Sequence, residues 1–422
     1  MGVLGFAAAV PLALVFATLS RRLREAGIDR ATIGFLSWIL LAYAFKFAWA
    51  PLVDRARIPY LAQRLGQRRS WLVLAQAVVI CGLAGMAFFD AQTGATALAV
   101  CALATAIASA TQDIALDAYR VESVAPEPER QAPLAAAYQA GYRIGLLWAG
   151  AGALWIAELA AGSATGYDAR SWSIAYGVMA ASMLAGTAAV LLCPDTGPAG
   201  RARGSAPSGL VDEIVRSVLD PLADFFRRYR WHAITLLALV STYRFANIVM
   251  GVMANTFYFD VGFTKAEVAT ISKFYGFAMT LAGLAAGGFL IPRLGLARML
   301  YAAAIVSPAS ILLYSLIAER GASLLLLGLA ISVDNFAEGV GGTVFITYLS
   351  GLTRQGFTAT QYAALSSAAV LLPKLVAGFS GLIVERIGYA AFFNACAASG
   401  LVALVLVAIV LRTVPDQRFS KR

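Results

Sequence analysis

Residues 194–230, PDTGPAGRARGSAPSGLVDEIVRSVLDPLADFFRRYR, form the longest polar stretch of the chain. Its first part is rich in Pro, Gly and Ser, and its second part, from 211 to 230, is a charged amphipathic piece. Long apolar runs fill the sequence on both sides of it, six before and six after. The stretch therefore reads as a linker that divides the chain into two halves.

The composition is that of a multi-span membrane protein. The 422 residues are 60% hydrophobic and 13% charged, with a mean hydropathy of +0.74, which excludes an ordinary soluble protein. Because one crossing needs about 20 apolar residues, this length holds about a dozen helices and leaves no room for a large soluble enzyme domain. The apolar runs are also longer than the roughly 10-residue alternating strands of an outer-membrane barrel.

We therefore predict an all-α membrane protein with twelve transmembrane helices in two six-helix bundles. The spans are expected at 2–20, 32–50, 71–89, 95–119, 134–159, 172–193, 232–256, 268–291, 297–318, 322–350, 361–384 and 388–411. The predicted domains are an N-terminal bundle (1–193), a linker (194–230), a C-terminal bundle (231–411) and a tail (412–422). The run from Gly2 to Leu19 lacks a basic leader and a cleavage site, so we expect a first span rather than a signal peptide.

The distribution of basic residues predicts the orientation. Of the 33 Lys and Arg residues, 20 fall on the side that holds the linker and the tail, eight on the opposite side and five within spans. Since cytoplasmic loops carry the excess of Lys and Arg, both termini are expected in the cytoplasm. The net charge of +10 then reflects orientation, and no nucleic-acid partner is predicted. The exception is the first outer loop, which holds Arg21, Arg22, Arg24 and Arg30.

Other chemistry has little support in the sequence. The four cysteines lie in or at the end of apolar runs without CxxC spacing, so we expect neither a metal site nor a disulfide, and no cofactor. His232 lies at the start of a span, where an interfacial role is expected. The HExxH, GxSxG and GxxxxGK[ST] motifs are absent.

Nine ionisable residues are predicted at bilayer depth, where a charge is costly and usually functional. They are Lys46, Asp113, Asp117, Arg143, Arg244, Lys273, Asp334, Glu338 and Lys374. Asp113 and Asp117 are four residues apart and share a helix face, as do Asp334 and Glu338. Because neighbouring carboxylates favour protonation of one member, we predict these four acids as proton-coupling residues. Fixed ion pairs with the basic residues are the alternative.

The basic and aromatic residues of these spans predict a site for an anionic, sugar-bearing substrate. Arginine matches a carboxylate with two donors, and aromatic rings suit sugar faces. The predicted substrate-binding residues are Arg143, Arg244, Lys46, Tyr43, Tyr119, Tyr142, Asn247 and Lys273. Lys46 and Lys374 could instead extend to the headgroups, and most aromatic residues could belong to interfacial belts.

A short basic turn that contains glycine follows span 2, at residues 54–69, and a similar turn follows span 8, at 292–298. Such turns suit tight loops that hold neighbouring helix ends. We predict Asp54, Arg55 and Arg69 as gating-loop residues that affect conformational cycling more than substrate affinity.

Several of these segments carry a family resemblance. They are residues 42–47 (AYAFKF), 49–55 (WAPLVDR), 110–119 (ATQDIALDAY), 141–143 (GYR), 221–226 (PLADFF) and 356–366 (GFTATQYAALS). Together with the six-plus-six layout, they resemble the muropeptide permease (AmpG) family of the major facilitator superfamily. The resemblance implies a proton-driven importer of anhydro-muropeptides in the bacterial inner membrane, and we expect it to be a monomer. It also implies roles in cell-wall recycling and in the signal for beta-lactamase induction.

The sequence departs from the family pattern at predicted cavity positions. Residues 243–247 read YRFAN where the family has Tyr-Lys-x-Gly-Asp, Asp334 stands where Glu is expected, and Glu338 where Gly is usual. Substrate alternatives therefore stay open, namely a siderophore or another anionic solute. Two alternative functions do not involve transport. They are a non-transporting sensor and an intramembrane protease that uses Asp113 and Asp334.

Overall fold

The computed structural model describes residues 1–28, 39, 41–124, 127–162, 167–195, 220–221, 223–263, 267–354 and 357–413. Every regular element in these ranges is helical, which confirms the predicted fold class. Much of predicted span 2, most of the predicted linker and most of the predicted tail lie outside the described residues.

One compact unit, unit 1, comprises Met1–Ser123, Tyr138–Val218 and Gln355–Ala363. Its helices are α1 (Gly2–Glu25), α2 (Leu41–Ala44), α3 (Ala50–Arg55), α4 (Leu61–Leu65), α5 (Gln67–Phe88), α6 (Ala95–Glu122), most of α7 (Pro128–Ala161) and α8 (Ala169–Leu192). A 3-10 turn, Lys46–Ala48, separates α2 from α3. The core of this unit is built from buried Ala, Leu, Val and Met side chains of the long helices.

The second compact unit, unit 2, comprises Val124–Ala137, Leu219–Arg354 and Ala364–Arg422. Its helices are α9 (His232–Thr242), α10 (Phe245–Val261), α11 (Gly276–Leu294), α12 (Leu296–Arg320), α13 (Leu324–Leu352), most of α14 (Thr358–Ala377) and α15 (Ser380–Thr413). A π-helical stretch, Val268–Tyr275, leads into α11, and Gly388 kinks α15 with a positive φ. Aromatic rings dominate this core, including Phe257, Tyr314 and Phe393.

Within the described residues, ten helices are long and apolar enough to cross a membrane. Of the twelve predicted spans, span 2 falls largely outside that part. Span 11 is present as α14, but its Thr, Gln, Ser and Lys side chains lower its hydropathy below that of the other spans. Span 7 consists of two helices, because the chain is interrupted at Tyr243 and Arg244.

Arg22 explains part of the unexpected cluster of arginines at the first predicted outer loop. Arg21, Arg22 and Arg24 lie in the last turns of α1 rather than in a loop. The Arg22 side chain is fully buried, and it donates hydrogen bonds to the carbonyl oxygens of Met86 and Phe89 at the end of α5. This arginine therefore serves as a helix cap, a role that says nothing about membrane orientation.

Close helix packing in unit 1 depends on small residues, as is usual in membranes. A Cβ atom added to Gly186 of α8 would lie 2.4 Å from the Cβ of Ala7 on α1. The same atom at Gly177, on the same helix, would meet nothing within 4 Å.

We predict that Gly186→Ala lowers the free energy of unfolding by about 1–3 kcal/mol, because the added methyl group forces α1 and α8 apart. Thermal unfolding of the purified protein in detergent measures this change. The matched control, Gly177→Ala, should leave the midpoint unchanged or raise it, since Ala is the better helix former. Equal midpoints for the two variants would contradict the packing described here.

Candidate transport sites in the two units

The acid pair of unit 1 lies on α6, where Asp113 and Asp117 are one helical turn apart. Asp117 is buried between two cations. The Nζ atom of Lys46 lies 3.9 Å from its Oδ2 atom, and Nη2 of Arg120 lies 3.7 Å from Oδ1. The negative charge of Asp117 is therefore balanced within the unit.

Asp113 has a different environment. No basic side chain of the described residues lies within 4 Å of its carboxylate. Its Oδ1 atom is buried and has no hydrogen-bond partner within the same part of the chain. An ionised carboxylate so placed is costly, so this position favours a protonated side chain.

The acid pair of unit 2 lies on α13 and includes an ion pair with Arg244. The guanidinium of Arg244 contacts Oε1 of Glu338. Arg244 stands at the interruption between α9 and α10, and the adjacent Tyr243 fixes the backbone there. The Tyr243 hydroxyl donates to the carbonyl oxygen of Leu300 at 3.1 Å, and its ring stacks on Phe345 at 5.5 Å between centroids.

Asp334, one turn before Glu338, is surrounded by neutral donors. Ser310 donates to its Oδ1 atom at 3.0 Å, Tyr314 to its Oδ2 atom at 3.3 Å, and the Asn247 amide approaches Oδ1 at 3.5 Å. Ser307 in turn donates to the Asn247 amide oxygen at 2.7 Å. No basic side chain in the described ranges lies within 4 Å of the Asp334 carboxylate.

Each unit thus presents the same division. Among the described side chains, no cation lies within 4 Å of the first acid of the pair, Asp113 or Asp334, whereas the second, Asp117 or Glu338, has at least one. The sequence predicts all four acids as proton-coupling residues, and the structure separates them into two kinds by their cationic partners.

The other predicted binding residues are distributed over both units. Arg143 and Tyr142 lie side by side on α7, partly exposed, and Tyr43 packs against the core of unit 1. The hydroxyl of Tyr119 donates to the carbonyl oxygen of Pro194 at 2.9 Å, so it holds the chain beyond α8. The side chain of Lys273 lies outside the described part of the structure.

The predicted gating residue Asp54 is the centre of a buried network in unit 1. Its carboxylate accepts hydrogen bonds from the backbone amides of Ala359 and Thr360, at 3.1 and 2.7 Å, in the first turn of α14. Arg68 donates to Asp54 and to Glu122, both at 2.7 Å. The network therefore holds the first turn of α14 in unit 1.

Arg69, one of the two arginines predicted for this loop, contacts the end of α8 instead of Asp54. It donates to the carbonyl oxygens of Val190 and Leu191, in the last turn of α8, at 2.9 and 2.6 Å. Arg55 ends α3. Sequence reasoning missed the partner of Asp54, Arg68, because two adjacent arginines offer no local signal of which one turns inward.

Arg120 is a second residue that sequence reasoning missed. Its guanidinium is buried in unit 1, 5.9 Å from the ring centroid of Tyr138 and 5.2 Å from that of Tyr362. The predicted span ended at residue 119, so Arg120 counted as a loop charge, whereas α6 continues to Glu122. Its position three residues after Asp117 was the available signal.

Comparison with known proteins assigns the family. The chain is 33% identical over 422 residues to the anhydromuropeptide permease of Escherichia coli K12, an alignment that covers 99% of this chain and 80% of that protein. It is 32% identical over 391 residues to putative transporter AmpG 4 of Rickettsia felis, covering 93% and 91%. The chain belongs to the AmpG family of permeases. A family model described as acetyl-coenzyme A transporter 1 also matches residues 2–149.

The fold of this AmpG-family chain is that of the major facilitator superfamily. A solved structure of a superfamily transporter, FucP in the outward conformation, aligns with a TM-score of 0.66 at 15% identity and covers 97% of both chains. Because it belongs to the AmpG family of permeases, the chain is a multi-span membrane transporter rather than an enzyme, as the sequence predicts.

We predict that Asp54→Asn speeds hydrogen exchange at the amides of Ala359 and Thr360 by about tenfold, because a single neutral amide oxygen replaces the two carboxylate oxygens that accept from them. Hydrogen–deuterium exchange with mass spectrometry measures this effect. Asp224→Asn is the control: it weakens the more exposed ion pair with Arg354 and should leave the two amides unchanged. Unchanged protection in Asp54→Asn would contradict the assigned hydrogen bonds.

Proposed function

We propose that this chain is a proton-coupled importer of anhydro-muropeptides in the bacterial inner membrane. The relative in Escherichia coli is an anhydromuropeptide permease, which supports this substrate class. The observation that carries the coupling is the division within each acid pair: among the described side chains, one carboxylate has a cation within 4 Å and the other has none. Import would serve cell-wall recycling and supply the signal for beta-lactamase induction. The transporter works as a monomer with both termini in the cytoplasm.

Asp113 and Asp334 are the proposed proton carriers. A carboxylate without a neighbouring cation is stable in a low-dielectric site when it is protonated, and becomes costly when it loses that proton away from water. Its protonation state therefore changes the energy of the conformation that buries it. Asp117 and Glu338 each have a cationic partner, and they hold those cations in place in the empty transporter.

The basic residues would bind the substrate's acidic groups. An anhydro-muropeptide carries sugar rings and peptide carboxylates. The planar guanidinium groups of Arg143 and Arg244 suit carboxylates, and Lys46 adds charge near Asp117. The ring faces of Tyr43 and Tyr142 suit the apolar faces of the sugars.

Uptake into proteoliposomes under an imposed pH gradient tests this function. Anhydro-muropeptide should accumulate above its outside concentration, and a protonophore should abolish the accumulation. A ferric siderophore, offered in parallel, should not accumulate. Siderophore uptake without muropeptide uptake would overturn the substrate assignment, and muropeptide binding without flux would indicate a sensor.

We predict that substitution of the two acids of unit 1 has opposite effects on proton-driven uptake and on thermal stability. Asp113→Asn should abolish proton-driven accumulation yet keep the thermal stability of the wild type, because the amide mimics the protonated acid. Asp117→Asn should lower stability by about 3 kcal/mol, because Lys46 and Arg120 lose their shared counter-charge. Uptake assays and thermal unfolding in detergent measure both effects. Full coupling in Asp113→Asn would refute its role as a carrier.

A further inference from the structure

Three polar side chains of α12 share the face that meets Asp334. Ser307, Ser310 and Tyr314 are three and four residues apart, so they lie along one side of the helix. Ser310 and Tyr314 are almost fully buried, and each donates a hydrogen bond to a different oxygen of the Asp334 carboxylate. Asp334 itself is partly exposed, so protons from solvent can reach it. The two buried hydroxyl groups must therefore suit whichever protonation state the carboxylate adopts.

The hydroxyl group of Ser310 has two acceptors within reach. Its Oγ atom lies 3.0 Å from Oδ1 of Asp334 and 2.7 Å from the backbone carbonyl oxygen of Ser307. A serine hydroxyl carries one proton and two lone pairs, so it donates to one of these acceptors at a time. When it donates to Ser307, a lone pair is free to accept a hydrogen bond from a protonated Asp334.

The hydroxyl group of Tyr314 also has two partners. It lies 3.3 Å from Oδ2 of Asp334, and it is hydrogen-bonded with the hydroxyl of Tyr258 on α10. The Tyr314 ring packs against Phe257 and Phe393, at 6.3 and 5.7 Å between centroids, so the hydroxyl can change partner by rotation about its C–O bond alone. Both hydroxyl groups can therefore serve the carboxylate in either protonation state without leaving a buried polar atom unsatisfied.

We propose that Ser310 and Tyr314 are positioning residues that make the protonation of Asp334 reversible. Both donate to the ionised carboxylate. When a proton from solvent binds Oδ1 or Oδ2, the new O–H group donates to the hydroxyl beside it, and that hydroxyl turns to Ser307 or Tyr258. This O–H bond is the only bond formed, and release of the proton reverses the rotation. The inference rests on the proposed function, in which Asp334 carries a proton, and adds the residues that let it give that proton up.

The charged or titratable side chains that face Asp334, among the described residues, come from three helices. They are Glu338 on α13, Tyr314 on α12 and Tyr258 on α10. Glu338 forms an ion pair with Arg244. The neighbouring elements contribute groups that lie elsewhere or have other partners: Tyr275 bonds with Ser332, Tyr389 donates to Asp260, Arg293 ends α11, and the Lys273 side chain is outside the described residues.

Infrared titration of the full-length protein in detergent tests the proposal without substrate. The carbonyl band of protonated Asp334, assigned by its loss in Asp334→Asn, is followed from acidic to alkaline pH to give the pH of half-protonation. Ser310→Ala and Tyr314→Phe should each raise this pH by about one unit, a tenfold change in proton affinity. The sign follows because a hydroxyl stabilises the ionised carboxylate more than the protonated one, so its removal favours the protonated form.

Three controls make the result specific. Ser310→Thr keeps the hydroxyl group and should keep the half-protonation pH of the wild type. Ser315→Ala should also leave it unchanged, because Ser315 lies on the same helix but donates to the carbonyl oxygen of Ala390. The band of Asp113, in unit 1, should titrate at the same pH in every variant, which separates a local effect from a general loss of structure.

The outcomes separate the two claims. If the half-protonation pH of Asp334 is the same in Ser310→Ala and Tyr314→Phe as in the wild type, or falls in either variant, the roles of these hydroxyls are wrong and the proposed function stands. If the wild type shows no Asp334 band that titrates, the coupling role of Asp334 in the proposed function fails, and this inference fails with it.

Discussion

An ionised carboxylate away from water needs a cation beside it, and this requirement organises both units of the transporter. In unit 1 the requirement is met at Asp117, between Lys46 and Arg120, and is not met at Asp113 within the described residues. In unit 2 it is met at Glu338 by Arg244, whereas the described hydrogen-bond partners of the Asp334 carboxylate are hydroxyl and amide groups. The two acids of each pair are four residues apart, so they lie one helical turn from each other. One of them has a cationic partner, and the other is placed to bind a proton.

Burial decides what each ion pair can do. The network of Arg68, Asp54 and Glu122 is almost inaccessible, and it also binds the first turn of α14. Breaking this network requires that the first turn of α14 move, so the network suits a structural role. The pair of Arg244 and Glu338 is partly exposed, so solvent reaches it without such a movement. The same pairing of charges is therefore sealed from solvent in one place and open to it in another.

Much of the fold follows from the sequence, because apolar periodicity and length fix where long helices lie. The spacing of Asp113 and Asp117, and of Asp334 and Glu338, predicts both acid pairs. Which acid of a pair has a cation cannot be predicted in this way, since the cation comes from elsewhere. Lys46 comes from a 3-10 turn and Arg244 from a break within a predicted span. Arg120 and Arg68 were missed for a related reason: the helices continue beyond the apolar runs, so charges that look like loop residues are buried.

Infrared difference spectroscopy of the substrate-free protein, recorded between acidic and neutral pH, tests the division of the acids most directly. It detects the carbonyl stretch of protonated carboxyl groups, and substitution assigns each band to a residue. Bands lost in Asp113→Asn and Asp334→Asn, and kept in Asp117→Asn and Glu338→Gln, are the predicted result. Bands that survive both aspartate substitutions and disappear in Asp117→Asn or Glu338→Gln would contradict it.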